Sequence, residues 1–245
     1  MSYISVNDLN FGYNKNKLFN GVTFNIEKNT LTCITCPSSK GKTTILNMLC
    51  GNIETNSITM SENVKITKIT NNMNFYCSNL LEELLYIKND IPAIKKYLRQ
   101  FGLLKYKDLS PSDLNYYDSQ KLNLIKAILS GSKIILIDNI FCHFDKYSKV
   151  EYIGYLRKLQ YDNDITTIYT TNNLEDLLFS DRIIIINKEV LYCGKSEDVF
   201  FNDEIIKKSK LNIPLERELI EKLKLYNMIN NTTYTVEEMV DEICK

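Results

Sequence analysis

The chain has 245 residues, with 30 basic and 30 acidic side chains and a formal net charge of zero. That length suffices for one large α/β domain, or for one domain with an appendage. The charge balance argues against a broad nucleic-acid-binding face. The seven cysteines are scattered without a C-x-x-C pair, so buried free thiols in a reducing cytosol are expected rather than zinc ligands or disulfides. No charged-then-apolar leader opens the chain, and the apolar runs, such as Ile183-Ile184-Ile185-Ile186, are far shorter than a membrane span. A soluble, cytoplasmic protein is the expectation.

Residues 2–35 read as short strands: Ile4, Val6 and Leu9 begin one, and Val22, Phe24 and Ile26 alternate in another. The β-prone stretch 30–35 runs into Cys36-Pro37-Ser38-Ser39-Lys40-Gly41-Lys42-Thr43-Thr44, and an apolar helix follows to Cys50, with Gly51 as its stop. The nonapeptide follows the phosphate-loop pattern G-x-x-x-x-G-K-[S/T], except that Cys36 stands where the first glycine belongs. Strand, loop and helix in that order are the context the pattern requires. Successive backbone N–H groups there can wrap a phosphate, and Lys42 can place a positive charge on it. Lys40 either adds charge near the phosphates or points to solvent.

Residues 57–70 alternate again (Ile58, Met60, Val64, Ile66, Ile69) and predict two more strands. Residues 79–108 are helical in pattern, and a further helix begins near Asp113 and runs through Gln120 to Leu129, where Gly131 and Ser132 end it. Residues 133–138 form a continuous apolar run ending in Asp138, as a parallel strand covered on both faces would. A helix over about 147–160 and strands over 165–170 and 182–186 follow. The alternation of strand and helix predicts a parallel sheet with helices packed on it. From Lys195 onward the pattern is helical and charged; Pro214 breaks it, and small amphipathic helices are expected over 215–225 and 235–244.

An Asp at the end of an apolar strand is the second half of a P-loop nucleotide site, where it and the P-loop hydroxyl hold Mg²⁺. Thr43 and Asp138 suit those two roles. With these residues in place, the chain resembles the ATP-binding subunit of ABC transporters over most of its length, and its tail, with Pro214 before residues 216–223 and then residues 235–240, resembles the C-terminal region of energy-coupling-factor importers. Tyr13 stands where the family has an aromatic that stacks on adenine. Leu114-Asn115-Tyr116-Tyr117-Asp118 stands at the L-S-G-G-Q signature, Asp138-Asn139 at the strand-end D-E pair, Asp145 at the D-loop, and Asn172 at the switch histidine. Asn71 is the nearest occupant of the position of the Gln that links metal and water to the membrane partner.

The resemblance implies an α/β P-loop NTPase fold (ABC ATPase cassette). Its parts are a mostly parallel core sheet, an N-terminal antiparallel β part, a helical subdomain over about 72–130 and a small C-terminal helical extension. The corresponding division is a nucleotide-binding domain over 1–195 and an extension over 196–245. It also implies ATP and Mg²⁺ as cofactors, with nucleotide contacts from Tyr13, residues 36–44 and Asn71. The implied partners are a second cassette, identical or different, and an integral membrane transporter subunit that would be reached through the helical region near 71–110. The location would be the cytoplasmic face of the cell membrane, and the imported substrates of that subfamily are vitamins and trace metals.

The chain departs from the family where hydrolysis is done. Asn139 replaces the Glu that polarises water, and an amide cannot take water's proton; losing a general base costs about 10²–10⁴ in rate. Asn172 replaces the switch histidine. Tyr116 and Tyr117 replace two glycines whose lack of Cβ permits close approach to a partner's nucleotide, and they would crowd it unless their rings turn away. His143, between Asn139 and Asp145, is a candidate replacement base or a solvated loop residue. The readings left open are a hydrolysis-poor half of a cassette pair, a non-hydrolysing scaffold cassette, and a soluble P-loop protein unrelated to transport.

Overall fold

The computed structural model describes residues 2–14, 16–37, 41–72, 74–200, 203–209, 211, 219 and 222–223. Ser38, Ser39 and Lys40, most of the helix expected over 215–225, and all of that over 235–244 lie outside the described residues. The chain opens with β1 (Ser2–Tyr13), β2 (Asn16–Glu27), β3 (Leu31–Thr35), α1 (Lys42–Leu49), β4 (Ile58–Met60) and β5 (Ile66–Ile69). Then come α2 (Leu80–Leu85), α3 (Ile91–Gln100), α4 (Tyr116–Leu129), β6 (Ile134–Asp138), α5 (Lys146–Asn163) and β7 (Thr166–Thr170). α6 (Leu174–Leu177), β8 (Arg182–Asn187), β9 (Glu189–Lys195), α7 (Ser196–Phe200) and α8 (Asp203–Ser209) complete the described elements.

Two sheets form. The first is antiparallel, in the order β2-β1-β4. The second has the order β5-β6-β7-β3-β8-β9; its first five strands are parallel, and β9 returns antiparallel on the edge. This is the P-loop NTPase cassette fold that the sequence implies.

Alternation of side chains across a strand sorts the interior of the second sheet into two cores. Ile135 and Ile137 of β6 join Leu84, Leu98, Leu122, Ile125 and Leu156 on one face. Ile134 and Leu136 join Ile45, Leu46 and Leu49 of α1, with Val6, Phe19 and Phe24 of the first sheet, on the other. With both faces covered, β3, β6 and β7 are buried at every position, which is why β6 reads as an unbroken apolar run. Most threonines of β3 and β7 enter this interior with their hydroxyls bonded, although the Thr167 hydroxyl has no partner among the described residues. Thr166 Oγ1 accepts from the Asn29 N–H at 2.8 Å, and Thr35 Oγ1 donates to the Thr171 carbonyl at 2.7 Å.

The helical region departs from the expected boundaries for local reasons. The stretch expected as helix over 79–108 is two helices, because the Asp90 side chain caps α3 by accepting from the Ala93 N–H, a capping geometry that starts a helix afresh. α4 begins at Tyr116 rather than near Asp113. Pro111–Asp113 forms a separate 3₁₀ turn, Leu114 is extended, and Asn115 caps the helix by accepting from the Asp118 N–H at 2.8 Å. β9 was not expected; it follows a tight turn at Lys188, whose φ is 66°.

The helical region is tied to the segment after β5 by one buried carboxylate. Glu83 of α2, 2% exposed, pairs with Lys126 of α4 at 2.5 Å and accepts from the Tyr76 and Cys77 N–H groups at 2.9 and 3.0 Å. Burial alone would raise its pKa, but the Lys126 ammonium and the two backbone donors outweigh burial and hold it below its ordinary 4.5. A carboxyl lowered on folding contributes stability that is complete above its unfolded value and is lost as pH falls through the folded one. Glu83→Gln is expected to cost about 2–3 kcal/mol at neutral pH by leaving Lys126 and one acceptor site poorly matched. In urea unfolding, the gap between the natural chain and the variant should close as pH is taken below 4.5; a gap independent of pH would show that the pair does not act in this way.

Candidate nucleotide site

The loops that follow β3, β5, β6 and β7 leave the same edge of the parallel sheet, the edge at which open α/β sheets bind ligands. They bring together Cys36, Pro37 and residues 41–44, Asn71, Asp138 with Asn139, and Thr171 with Asn172. The phosphate loop joins central β3 to α1. Its Gly41 has φ 110° and packs on Phe19 of β2, so that a Cβ there would stand 2.6 Å from the ring. Both the conformation and the closeness require glycine. Cys36, at the position of the missing first glycine, is fully buried, and burial pushes its thiol up to about 12. It therefore behaves as a small neutral apolar group. Pro37 and Thr44 are also buried. The Lys42 ammonium closes the loop on itself by donating to the Cys36 carbonyl at 3.1 Å. Burial lowers its pKa, against the pull of Cys36 and Asp138. Tyr13, half exposed, stands at the end of the β1–β2 hairpin with its ring edge-on to Phe11 at 5.1 Å.

Asp138 lies beside α1, as the sequence reading expects. Its Oδ1 accepts from Thr43 Oγ1 at 3.2 Å and from Thr170 Oγ1 at 3.3 Å. A group that the sequence reading missed stands on the other oxygen. Lys68 of β5 places its ammonium 3.0 Å from Asp138 Oδ2 and donates to Asn47 Oδ1 at 2.8 Å. Thr43 and Asn47 are one turn apart on α1 and so share a face. The sheet register sets Lys68 beside Leu136, two residues before Asp138 and on the same face. The only signal in the sequence was a lysine within the short alternating stretch Ile66-Thr67-Lys68-Ile69. These groups border a hollow of about 370 Å³ lined by Thr43, Lys68, Thr70, Asn71, Asn72, Asp138 and Asn139.

Mg²⁺ takes oxygen ligands in near-octahedral geometry. Thr43 and Asp138, the two residues expected to hold it, are hydrogen-bonded to each other. Yet one carboxylate oxygen is held by hydroxyls and the other by an ammonium, and the Asn71 side-chain oxygen accepts from the Tyr116 hydroxyl at 2.5 Å. In this arrangement the donor set does not fit a divalent ion, because the cation position beside Asp138 is already filled.

The remaining residues with expected roles are distributed as follows. Asn139 is left-handed (φ 54°), its N–H donates to Thr170 Oγ1, and its amide nitrogen lies 3.6 Å from the Cys142 sulfur. The Asn172 side-chain oxygen is buried without a hydrogen-bond partner among the described residues. Asp145 caps α5, accepting from the Ser148 N–H at 2.7 Å. His143 is exposed, packs edge-on to Tyr116 at 5.0 Å, and does not line the hollow. Asp118 pairs with Lys121 at 2.6 Å. Tyr116 and Tyr117 both fold onto their own chain. The Tyr116 ring packs on His143 and Phe144. Tyr117 packs on Phe144 and Tyr152, and its hydroxyl donates to Glu151 at 2.7 Å. Burial pushes the Tyr116 phenol up to about 12, so it is a hydrogen-bond donor at any physiological pH. Gln120 of α4 adds a second tie to this region by donating to the Thr70 carbonyl at 3.2 Å.

Comparison with known proteins agrees with this architecture. A family profile described as "ABC transporter" matches residues 19–141, half of the chain, and the chain belongs to that family. It is an ATP-binding, P-loop type of subunit related at low identity to the EcfA proteins. The energy-coupling factor transporter ATP-binding protein EcfA of Malacoplasma penetrans is 24% identical, covering 98% of this chain and 92% of its own. EcfA1 of Fusobacterium nucleatum is 26% identical over 82% of this chain and 85% of its own. Among solved structures, cbiO1 of Clostridium perfringens, described as part of the ABC transporter complex cbiONQ, superposes with a TM-score of 0.75 at 19% identity. The match covers 90% of this chain and 99% of that one. A P-loop NTPase fold of this kind implies nucleotide binding in general. Among the described residues, no helix is long and apolar enough to cross a membrane.

Gly41→Ala should therefore damage the site from its floor. It places a Cβ against Phe19 and a non-glycine residue at positive φ, at an expected cost of about 1–3 kcal/mol. Adding Phe19→Leu should relieve only the steric part. Urea unfolding of the single and double variants checks both statements.

Proposed function

We propose that the chain is the hydrolysis-poor nucleotide-binding member of a cassette pair that energises an importer of the energy-coupling-factor type. One observation carries this reading. Among the described residues, the hollow beside the phosphate loop is lined by a single carboxylate, Asp138, which Lys68 and two hydroxyls already engage, and the next residue is the amide Asn139. Among those residues, no lining group other than this engaged carboxylate could take a proton from water. The triphosphate would lie across residues 36–44, with Lys42 leaving the Cys36 carbonyl for the phosphates and the adenine stacking on Tyr13. Asn71 would border the terminal phosphate.

The relatives' names support the assignment to transport: an energy-coupling factor transporter in one case, part of a transporter complex in the other. The partners would be a second cassette and a membrane subunit, the latter met through the helical region near 71–110, with this chain on the cytoplasmic face of the membrane. Residues 1–195 would form the cassette and 196–245 an extension. Tyr116 and Tyr117, committed to contacts within their own chain, would cap a partner's nucleotide less closely than glycines do.

Lys42→Ala should weaken ATP binding about 10–100-fold, the worth of one charge-assisted bond. Equal affinity of the two proteins in equilibrium dialysis would remove the phosphate loop from the argument. In the reconstituted complex, Asn139→Glu should raise ATP turnover by about 10²-fold or more, even though a glutamate at this left-handed position costs roughly 1 kcal/mol. Unchanged turnover would mean that the missing base does not limit this half.

A further inference from the structure

We propose that Lys68 is a tethered cation that takes the place of a divalent ion, so that this site holds nucleotide without Mg²⁺. The inference rests on the nucleotide-binding reading above and goes beyond it by specifying the site's ion requirement. A bound Mg²⁺ in a P-loop site neutralises the strand-end carboxylate and gives the phosphates a positive neighbour. Both tasks already have an owner here. The Lys68 ammonium lies 3.0 Å from Asp138 Oδ2, with the two side chains 13% and 10% exposed.

The placement is built from three elements. β5 supplies the lysine, β6 the carboxylate, and α1 the Asn47 oxygen that accepts a second ammonium N–H at 2.8 Å. An ammonium has three donors, and the side chain lines the hollow beside Thr43, which leaves one donor for a phosphate oxygen. A divalent ion on Asp138 would meet the ammonium as a like charge at close range in a poorly hydrated site, where repulsion is strong. It would also lack the Asn71 oxygen, which is occupied by the Tyr116 hydroxyl. The geometry thus provides one positive charge where an ion would provide two, fixed to the fold and present before nucleotide arrives.

The test is titration of the full chain with a fluorescent N-methylanthraniloyl ATP, once with Mg²⁺ and once with EDTA. The natural chain should bind with affinities within about threefold of each other in the two buffers. Lys68→Met should lose about tenfold or more in EDTA and recover with Mg²⁺, whereas Lys68→Arg, which keeps the charge, should stay insensitive to the ion. Mn²⁺ paramagnetic resonance in the presence of ATP should show a protein-bound ion in Lys68→Met and none in the natural chain. If the natural chain binds in Mg²⁺ but about tenfold or more weakly in EDTA, Lys68 is only a structural ion pair and the inference is overturned while nucleotide binding stands. If it binds in neither buffer, the nucleotide reading falls and the inference with it. The natural-chain comparison decides the matter even if Lys68→Met does not fold.

Discussion

The carboxylate of Asp138 is the constraint around which the site is arranged. It sits at the end of a strand buried at every position, where an unpaired charge would be very costly. Three groups stabilise it: hydroxyls from α1 and β7 on one oxygen, and an ammonium from β5 on the other. Each comes from an element packed directly against β6 or in register with it. The carboxylate therefore holds the relative placement of α1, β5 and β7, as well as forming part of a ligand site. Replacing one partner would leave the charge uncompensated, which costs more than the pair is worth when complete.

The same economy appears along the edge of the sheet. Residues for which the sequence resemblance implies a chemical role make contacts within the fold here. Asn71 accepts from Tyr116, the Asn139 N–H donates to Thr170, and Asp145 caps α5. The groups suited to grasping an anion are the helix start behind Gly41, the buried Lys42 ammonium and the exposed aromatic ring of Tyr13.

The architecture was largely legible in the sequence because its core strands are covered on both faces. That cover makes β6 a continuous apolar run, and no other element type explains such a run ending in Asp138. The phosphate loop was legible from Gly41, Lys42 and Thr43, since backbone conformation and charge there are dictated locally. Helix starts were legible only to within a few residues: α4 begins at Tyr116 because Asn115 caps it, and a Pro-initiated turn just upstream imitates an earlier start. β9 was missed because an edge strand needs little apolar alternation. Lys68 was missed for a different reason. Its meaning lies in the register between β5 and β6 and in the facing turn of α1, and pairing across a sheet is not written in the order of residues. The inward turn of Tyr116 and Tyr117 likewise depends on Phe144 and Glu151, which are neighbours in space only.

The bond from Tyr116 to Asn71, with that from Gln120 to the Thr70 carbonyl, has a mechanical consequence. Here two rungs, separated by one helical turn of α4, clamp that loop to the helix like a splint. A displacement of residues 70–71 would load the head of α4 through these two bonds, and a pull on α4 would reach the rim of the hollow.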